Sequence, residues 1–432
     1  MDMLSRLLTN ADQAEVVEVQ AESTMVNFEA NRPKTSQVQE TKGIAVRLVK
    51  DGRLGFAASS DESAMDRLAV NALESAAYGD RVPISFPSPH RAPRVRAFDP
   101  TIANLPISRL VEIGQEIVDL ILQVEPEARV NLTLERGVQR FSLRNHAGAE
   151  VSFTRTPLSI FYELARVQGD DILVMYDIMG ATVWEKDYLA FARRACTKLK
   201  SAKVLASIKS GRMPVLFSPT GALVLGVPLM AGFDGRNVYK GVSPMRDRIG
   251  DKLFDDKLVI ADDATIDGKL GSAPYDDEGV AHRRTTLVEH GVLKGFLYDL
   301  RTAAQSGVES TGNGSRSLFS PPGPAPTNLV FEAGPTPVAS IIADIQEGLL
   351  VEDVLGLGQG NVISGAFSNP LGMAFKIEKG KIVGRVQDAS IAGNVYDLLP
   401  NVAALSQERE WVYGNLCMPY VLLPDMNVVA KE

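Results

Sequence analysis

The run Gly43-Ile44-Ala45-Val46-Arg47-Leu48-Val49, followed by Lys50-Asp51-Gly52-Arg53 and Leu54-Gly55-Phe56-Ala57-Ala58, sets the reading of the first part of the chain. Two β-prone runs joined through Asp-Gly predict a hairpin, because a tight two-residue turn needs positive φ and that dipeptide supplies it. Upstream, Glu15–Gln20 and Met25–Glu29 alternate apolar and polar residues with the period of half-buried strands. Downstream, Ser59 precedes Glu62 by three positions, a capping-box start for a helix through Leu68, Ala72, Leu73 and Ala76 that stops near Gly79.

Beyond this hairpin the segment 82–106 is rich in Pro and reads as a linker or a long surface crossing; its basic cluster Arg91, Arg94 and Arg96 beside His90 is read as a solvated loop face rather than an anion site. Leu110, Ile113, Ile117, Leu120, Ile121 and Val124 recur at helical spacing. Strands are expected at 130–135, 138–145, 150–155 and 160–167, with His146 in the turn 145–148. A basic helix over about 186–206, with Cys196 on its apolar side beside Ala192 and Leu199, closes the first half.

From Gly211 the pattern shifts to longer strands with wide glycine-rich connections. Strands are expected at 213–217, 328–331, 349–355, 373–378 and 382–386, with hairpins at 285–298 and around Gly380-Lys381. Apolar helical stretches are read at 222–231 and near 391–405, followed by a mostly extended tail. Asp251, Asp255, Asp256, Asp262, Asp263, Asp267 and Asp276-Asp277-Glu278 form an acidic region; the DxDxDG spacing of a calcium loop is absent, so these are read as solvated turns.

The chain has 432 residues, about three times the ~150 residues used as a prior for one domain. Two regions are expected, 1–208 and 209–432, with a possible further boundary inside 82–106. A formal charge of −8 argues against nonspecific nucleic-acid binding, which draws on Lys and Arg. No run of roughly 18 apolar residues supports a membrane span.

The scarce residues exclude more. Two distant cysteines, Cys196 and Cys417, make no disulfide framework or CxxC clip, which points to a reducing, cytoplasmic setting. The start of the chain has no charged region followed by an apolar one, as a secretory signal would. None of the four histidines begins an HExxH, and no GxSxG or P-loop occurs. The run Gly356-Leu357-Gly358-Gln359-Gly360 misses a dinucleotide loop at Asn361 and reads as a turn.

Several blocks taken together are diagnostic. Gly43-Ile44-Ala45-Val46-Arg47 with Gly52-Arg53-Leu54-Gly55-Phe56, then Asp276-Asp277-Glu278-Gly279, Arg283-Arg284-Thr285, Gly291–Leu297, Thr311-Gly312-Asn313, Glu347–Val351 and Gly365–Ser368 occur in order along the chain. In these blocks the chain resembles the TldD/PmbA (TldE) metalloprotease family, long labelled modulators of DNA gyrase. The resemblance implies an α+β fold: an N-terminal α/β half with mixed sheet and helices, and a C-terminal half built on a large curved antiparallel sheet.

The resemblance also implies a branch. The TldD-like branch carries HExxxH on a helix, two histidine ligands for zinc and a glutamate base, with a cysteine near the C-terminus. Gly232-Phe233-Asp234-Gly235 and Lys240-Gly241 resemble the sequence that follows that motif, which puts its six positions on Gly226 to Ala231. Gly226 and Ala231 then stand where the histidines would be, Val227 where the glutamate would be, and Pro228 is expected to bend or break the helix. Cys417 without histidines is no metal site. The expectation is a PmbA/TldE-like chain that binds no metal or cofactor itself, zinc being held by a TldD-like partner in a heterodimer that admits an extended peptide.

Asp276, Asp277, Glu278, Arg283 and Asn313 are the candidate substrate or partner contacts. The alternatives are a homo-oligomeric peptide or small-ligand binding protein, homodimeric in the simplest case, and an independent enzyme using Asp276, Asp277, Glu278 and His282. Neither nucleic acid nor membrane is an expected partner.

Overall fold

The computed structural model describes residues 2–431, Glu62 by its backbone alone. Helix α1 (Met3–Leu7) precedes strands β1 (Gln13–Glu29), β2 (Arg32–Lys50) and β3 (Arg53–Ser59). Asp51 and Gly52 hold φ of 51° and 73° between β2 and β3, the left-handed pair that the Asp-Gly signal predicts. A second turn of this kind, Ala30-Asn31, joins β1 to β2. Asn31 anchors it: the Val130 N–H donates to its Oδ1 at 2.7 Å, and its Nδ2 donates to the Ala128 carbonyl at 2.9 Å. The two strands expected at 15–20 and 25–29 are one, because nothing between them breaks the extended chain.

A short 3-10 turn at 62–64 leads into α2 (Met65–Ala76). Its cap is Asp61, which accepts the Ser63 N–H at 2.8 Å, whereas the expected cap Ser59 accepts the Asp61 N–H. The Glu62 half of the expected capping box lies outside the described side chains. The segment 82–99 is a long crossing, exposed or half-buried over residues 87–96 and anchored at its start. It runs extended outside any strand with Val82, Ile84 and Phe86 buried against Val49 and Leu54.

Helices α3 (Pro100–Ala103) and α4 (Ile107–Val124) follow, then β4 (Arg129–Asn145), β5 (Glu150–Arg155), β6 (Leu158–Gln168), β7 (Asp171–Ala181) and α5 (Ala190–Ser201). Here too β4 merges two expected strands across Gly137. The expected helix 186–206 shrinks to α5, because the backbone of Val204 and Ala206 pairs with Arg385 instead. The first sheet has the order β3-β2-β1-β4-β6-β7, with β5 beside β4. All its pairings are antiparallel, so the mixed pairing expected in this half is absent here.

The second half contains β8 (Gly211–Phe217), α6 (Leu223–Phe233), α7 (Gly235–Tyr239), β9 (Ile260–Asp263), β10 (Arg284–Glu289), β11 (Val292–Leu293) and α8 (Leu300–Ser306). Next come the small pair β12 (Gly314–Ser315) and β13 (Gly323–Pro324), then β14 (Leu329–Phe331), α9 (Val338–Asp344), β15 (Glu347–Val354), β16 (Ala366–Glu378) and β17 (Lys381–Val386). The chain finishes with β18 (Ala389–Asn394), α10 (Val395–Leu398), β19 (Ala404–Val412) and β20 (Leu416–Ala430).

Eleven of these strands form one curved, largely antiparallel sheet, with parallel pairs only at β14–β20 and β15–β8. The extended tail is its central strand, β20, bonded to β8, β14, β18 and β19. The helix expected near 391–405 is reduced to the single turn α10, since Ala389–Asn394 is held as a strand between β16 and β20. Pro400 then bars the helix from continuing.

Helices α4 and α5 cover one face of the first sheet. Ile113, Ile117, Ile121, Phe191 and Leu199 pack with Leu132, Leu134 and Tyr162, and the same cluster takes in Leu216, Ile341, Leu350 and Phe375 of the second half. The two halves therefore share a core. Ile117→Ala is expected to cost about 2–5 kcal/mol by loss of contacts and the cavity left behind. Val70→Ala, on the exposed side of α2, is expected to stay within about 0.5 kcal/mol; urea denaturation of both variants measures the difference.

Candidate functional site

Helix α6 carries the positions to which the resemblance assigns a metal motif. It is apolar on all sides, with Leu223, Val224, Leu225, Gly226, Pro228, Leu229 and Phe233 buried. Pro228 does not break it. The helix continues to Phe233, and its carbonyls find side chains: Tyr396 Oη donates to Pro228 O at 3.2 Å, Asn237 Nδ2 to Ala231 O at 2.8 Å, and Ser243 Oγ to Gly232 O at 2.7 Å.

A Cβ on Gly226 would lie 3.5 Å from Met418 Sδ and 3.6 Å from Leu416 Cδ2, so this face of α6 packs on β20. Cys417 is buried and, by strand alternation, points away from α6. Gly226, Val227 and Ala231 offer no donor to a metal and no group to carry a proton. Among the described residues no three His, Cys, Asp or Glu side chains are grouped to hold a metal ion.

The acidic loop behaves differently from the expected solvated turn. Asp262, Asp263, Asp276 and Glu278 are buried and Asp277 is half-buried. Asp276 braces the turn: its Oδ1 accepts the N–H groups of Glu278 and Val280 at 2.9 and 2.8 Å, and its Oδ2 that of Gly314 at 2.9 Å. Asp277 Oδ2 accepts the Arg316 N–H at 2.9 Å. Glu278 Oε2 accepts the Leu300 N–H at the start of α8, at 2.6 Å, and its Oε1 pairs with Arg47.

Arg47 also donates to Glu15 at 3.1 Å, and Glu15 accepts from Arg316 at 3.0 Å. A chain of buried charges thus runs Glu278–Arg47–Glu15–Arg316, from the second half of the molecule into the first and back, with the Arg47 guanidinium over the Phe86 ring at 4.8 Å. Asn313 is part of the surrounding frame, donating to Asp262 at 2.7 Å and to Ala325 O at 3.1 Å. Arg283 is not; it is exposed and donates to Ser310 O.

His90 ties the 82–99 segment to this loop, since its Nε2 accepts the Ala281 N–H at 2.7 Å and the Tyr275 hydroxyl donates to its carbonyl. Arg91, Arg94 and Arg96 are exposed, as the solvated reading expects. His146 lies in its turn against Phe86.

Burial sets the electrostatics. It pushes the Glu278 carboxyl up to about 7 against the pull of Arg47, and Asp262 up to about 6. Asp276 rises as well, through burial and then the Glu278 charge. Burial and the nearby Arg155 and Arg283 drive His282 down to about 4, so it is neutral at pH 7.

Beneath and beside the loop, one face of the first sheet is laid out in ordered rows. Cross-strand neighbours on one face run Arg47–Glu15–Asn145, then Ala45–Val17–Leu143–Val151, Gly43–Val19–Phe141–Phe153, and Thr41–Ala21–Gln139–Arg155. The acidic loop covers the first two rows. Over the last two lies a cavity of about 320 Å³ walled by Asp277, Arg316, Ser317 and Leu318. It meets a smaller chamber of about 130 Å³ through Phe153, Arg155 and Asp277, which also holds His282 and Asn313. On the opposite face Glu18, Lys42, Arg140, Ser142 and Ser152 line a separate polar hollow of about 540 Å³.

Glu15, Arg47, Arg155 and Arg316 are site residues that the sequence reading did not single out. One signal was available, a lone Arg47 inside the apolar run Ile44–Val49, where a charge facing inward needs a partner.

Two outcomes follow from this network. Arg47→Met strands Glu278, leaves Glu15 with Arg316 alone, and is expected to cost about 3–5 kcal/mol in urea denaturation, far more than the roughly 0–1 kcal/mol of a surface pair. Because the folded Glu278 holds its proton more tightly than the unfolded chain does, its contribution is full below the ordinary carboxylate range and is lost as pH rises through about 7. Stability should therefore fall between pH 5 and pH 8, and fall less in Glu278→Gln.

Comparison with known proteins agrees with this architecture. Residues 210–430 match the PmbA/TldA metallopeptidase C-terminal domain and residues 14–76 match PmbA/TldA metallopeptidase domain 1. An uncharacterized protein of Methanocaldococcus jannaschii is 28% identical over 95% of both chains. A protein of Methanothermobacter thermautotrophicus named a metalloprotease is 26% identical over 87% of this chain and 85% of its own. The crystal structure of TldE from Thermococcus kodakarensis shares the fold, with a TM-score of 0.91, 23% identity and 99% of each chain covered. The chain belongs to the TldD/PmbA metallopeptidase family.

Proposed function

We propose that this chain is the PmbA/TldE-like subunit of a TldD–TldE-type zinc metalloprotease acting on unfolded or extended peptides. In this reading it does not hydrolyse. It completes the chamber around a TldD-like subunit that holds the zinc, and it helps to admit the substrate. The observation that carries the reading is α6: Gly226, Val227 and Ala231 stand where the resemblance places two zinc ligands and a base, on a helix packed into apolar surroundings. No helix among the described residues is long and apolar enough to cross a membrane, and both cysteines are free and buried, which fits a cytoplasmic enzyme.

The first sheet offers a means of holding an extended chain. β3 pairs with β2 only over Ile44–Lys50, leaving the outer edge of β2 from Arg32 to Thr41 without a strand partner among the described residues. Such an edge has backbone N–H and C=O groups free to pair with a peptide or with a strand of a partner subunit. Charged and polar residues along it, including Lys34, Gln37, Gln39 and Glu40, keep it from indiscriminate association.

The test is an activity assay with unfolded peptides on the chain alone, on a TldD-like protein of the same organism alone, and on the two together. The expected result is no cleavage by the lone chain, stable co-purification of the pair, and chelator-sensitive cleavage by the pair. Chelator-sensitive cleavage by the lone chain would overturn the reading. Peptide binding by a self-associated chain with no effect on the TldD-like protein would support the homo-oligomeric binding protein instead.

A further inference from the structure

We propose that the cavity over Phe141, Phe153 and Arg155 receives the free C-terminal end of an extended peptide, the α-carboxylate on the guanidinium groups and the last side chain on the aromatic pair. The inference rests on the reading of the chain as a substrate-admitting subunit and names the part of the substrate it would recognise.

Three observations support it. The first is the disposition of charge. Arg155 donates only to neutral acceptors, Gln139 Oε1 at 3.0 Å and Leu270 O at 3.4 Å, and no carboxylate lies within ion-pair distance of it among the described residues. Arg316 is held by Glu15 through Nη1, while its Nη2 has no hydrogen-bond partner although the side chain is only 3% exposed. The lining carboxylate, Asp277, accepts the Arg316 N–H through Oδ2 and acts on Arg155 and Arg316 only from beyond ion-pair distance, leaving their N–H groups to a closer acceptor. Two guanidinium groups thus border one cavity with donor capacity unused, and a planar carboxylate suits that fork.

The second is the apolar floor. Phe141 and Phe153 are cross-strand partners, stacked 5.1 Å apart at 28°, and stand in the row next to Gln139 and Arg155. A carboxylate beside an apolar platform matches the end of a peptide with a hydrophobic last residue better than it matches a phosphate.

The third is the shape. Leu318 closes over Gly43, where a Cβ would come within 2.5 Å of its Cδ2. Gly279, at φ 78°, seals the inner side against Leu143 and Val151. Leu318 and Gly279 thus close two sides of the cavity, and the half-buried row Thr41–Ala21–Gln139 borders a third.

The test uses the full chain and fluorescein-labelled tetrapeptides ending in phenylalanine, as free acid and as C-terminal amide, with fluorescence anisotropy as readout. The acid should bind about tenfold or more tightly than the amide, the scale of one charge-assisted contact. Arg155→Gln should abolish the discrimination without moving the urea midpoint, Arg155→Lys should retain part of it, and Phe153→Ala should weaken acid and amide alike. Equal binding of acid and amide, no binding of the acid, or unchanged discrimination in Arg155→Gln would overturn the proposal. N-acetylphenylalanine binding as tightly as the peptide acid would overturn the peptide part and leave a small-carboxylate site. No protease partner is needed, so a failure here leaves the subunit reading standing. Cleavage by the lone chain would refute that reading without deciding this one.

Discussion

Arg47 stands where the two halves of the molecule meet, and much else is arranged around its charge. It emerges from β2 inside an otherwise apolar run and is almost wholly removed from water. A lone guanidinium in that position would be very costly, so Glu15 from the neighbouring strand and Glu278 from the second half converge on it, and Arg316 balances Glu15 in turn. Glu278 is also tied to the start of α8, and the loop that presents it is held by Asp276 through three backbone N–H groups. The position of the acidic loop, and with it the wall of the cavity over Phe141 and Phe153, follows from satisfying one buried cation.

This explains why the carboxylates that look most like a catalytic cluster are occupied. Asp276 is engaged by amides, Glu278 by Arg47 and Leu300, and Asp262 by Asn313 and Thr327. His282, the histidine beside them, is neutral at physiological pH because its surroundings are dry and cationic. The region is built as a joint between halves with a cavity at its margin.

Legibility in the sequence followed the range of the interactions. The Asp51-Gly52 turn, the hairpin around Gly380-Lys381 (its turn one residue earlier, at Lys379-Gly380), the α4 periodicity and the burial of Cys196 are local facts, and local residue chemistry was enough to read them. The family blocks were legible for the same reason, as short ordered motifs. What stayed hidden was set by distant partners. The tail became the central strand β20 only because β8, β14, β18 and β19 come to it from across the chain, and the 391–405 stretch lost its helix to the same sheet. The acidic residues read as solvent-facing because carboxylates usually are; Asp262 and Glu278 are buried by partners 51 and 231 positions away. Pro228 was expected to bend or break α6, yet the helix continues to Phe233, and Tyr396, Asn237 and Ser243 hold the carbonyls of its last turns.

The proposed division of labour has this chain supply structure and substrate contacts while a different chain supplies the metal. Native mass spectrometry of the purified chain, of a TldD-like protein and of their complex in zinc-containing buffer addresses it directly, because mass assigns the metal to a subunit. The expected result is zinc on the TldD-like subunit and none retained by this chain, alone or in the complex. Zinc retained stoichiometrically by this chain alone would contradict it.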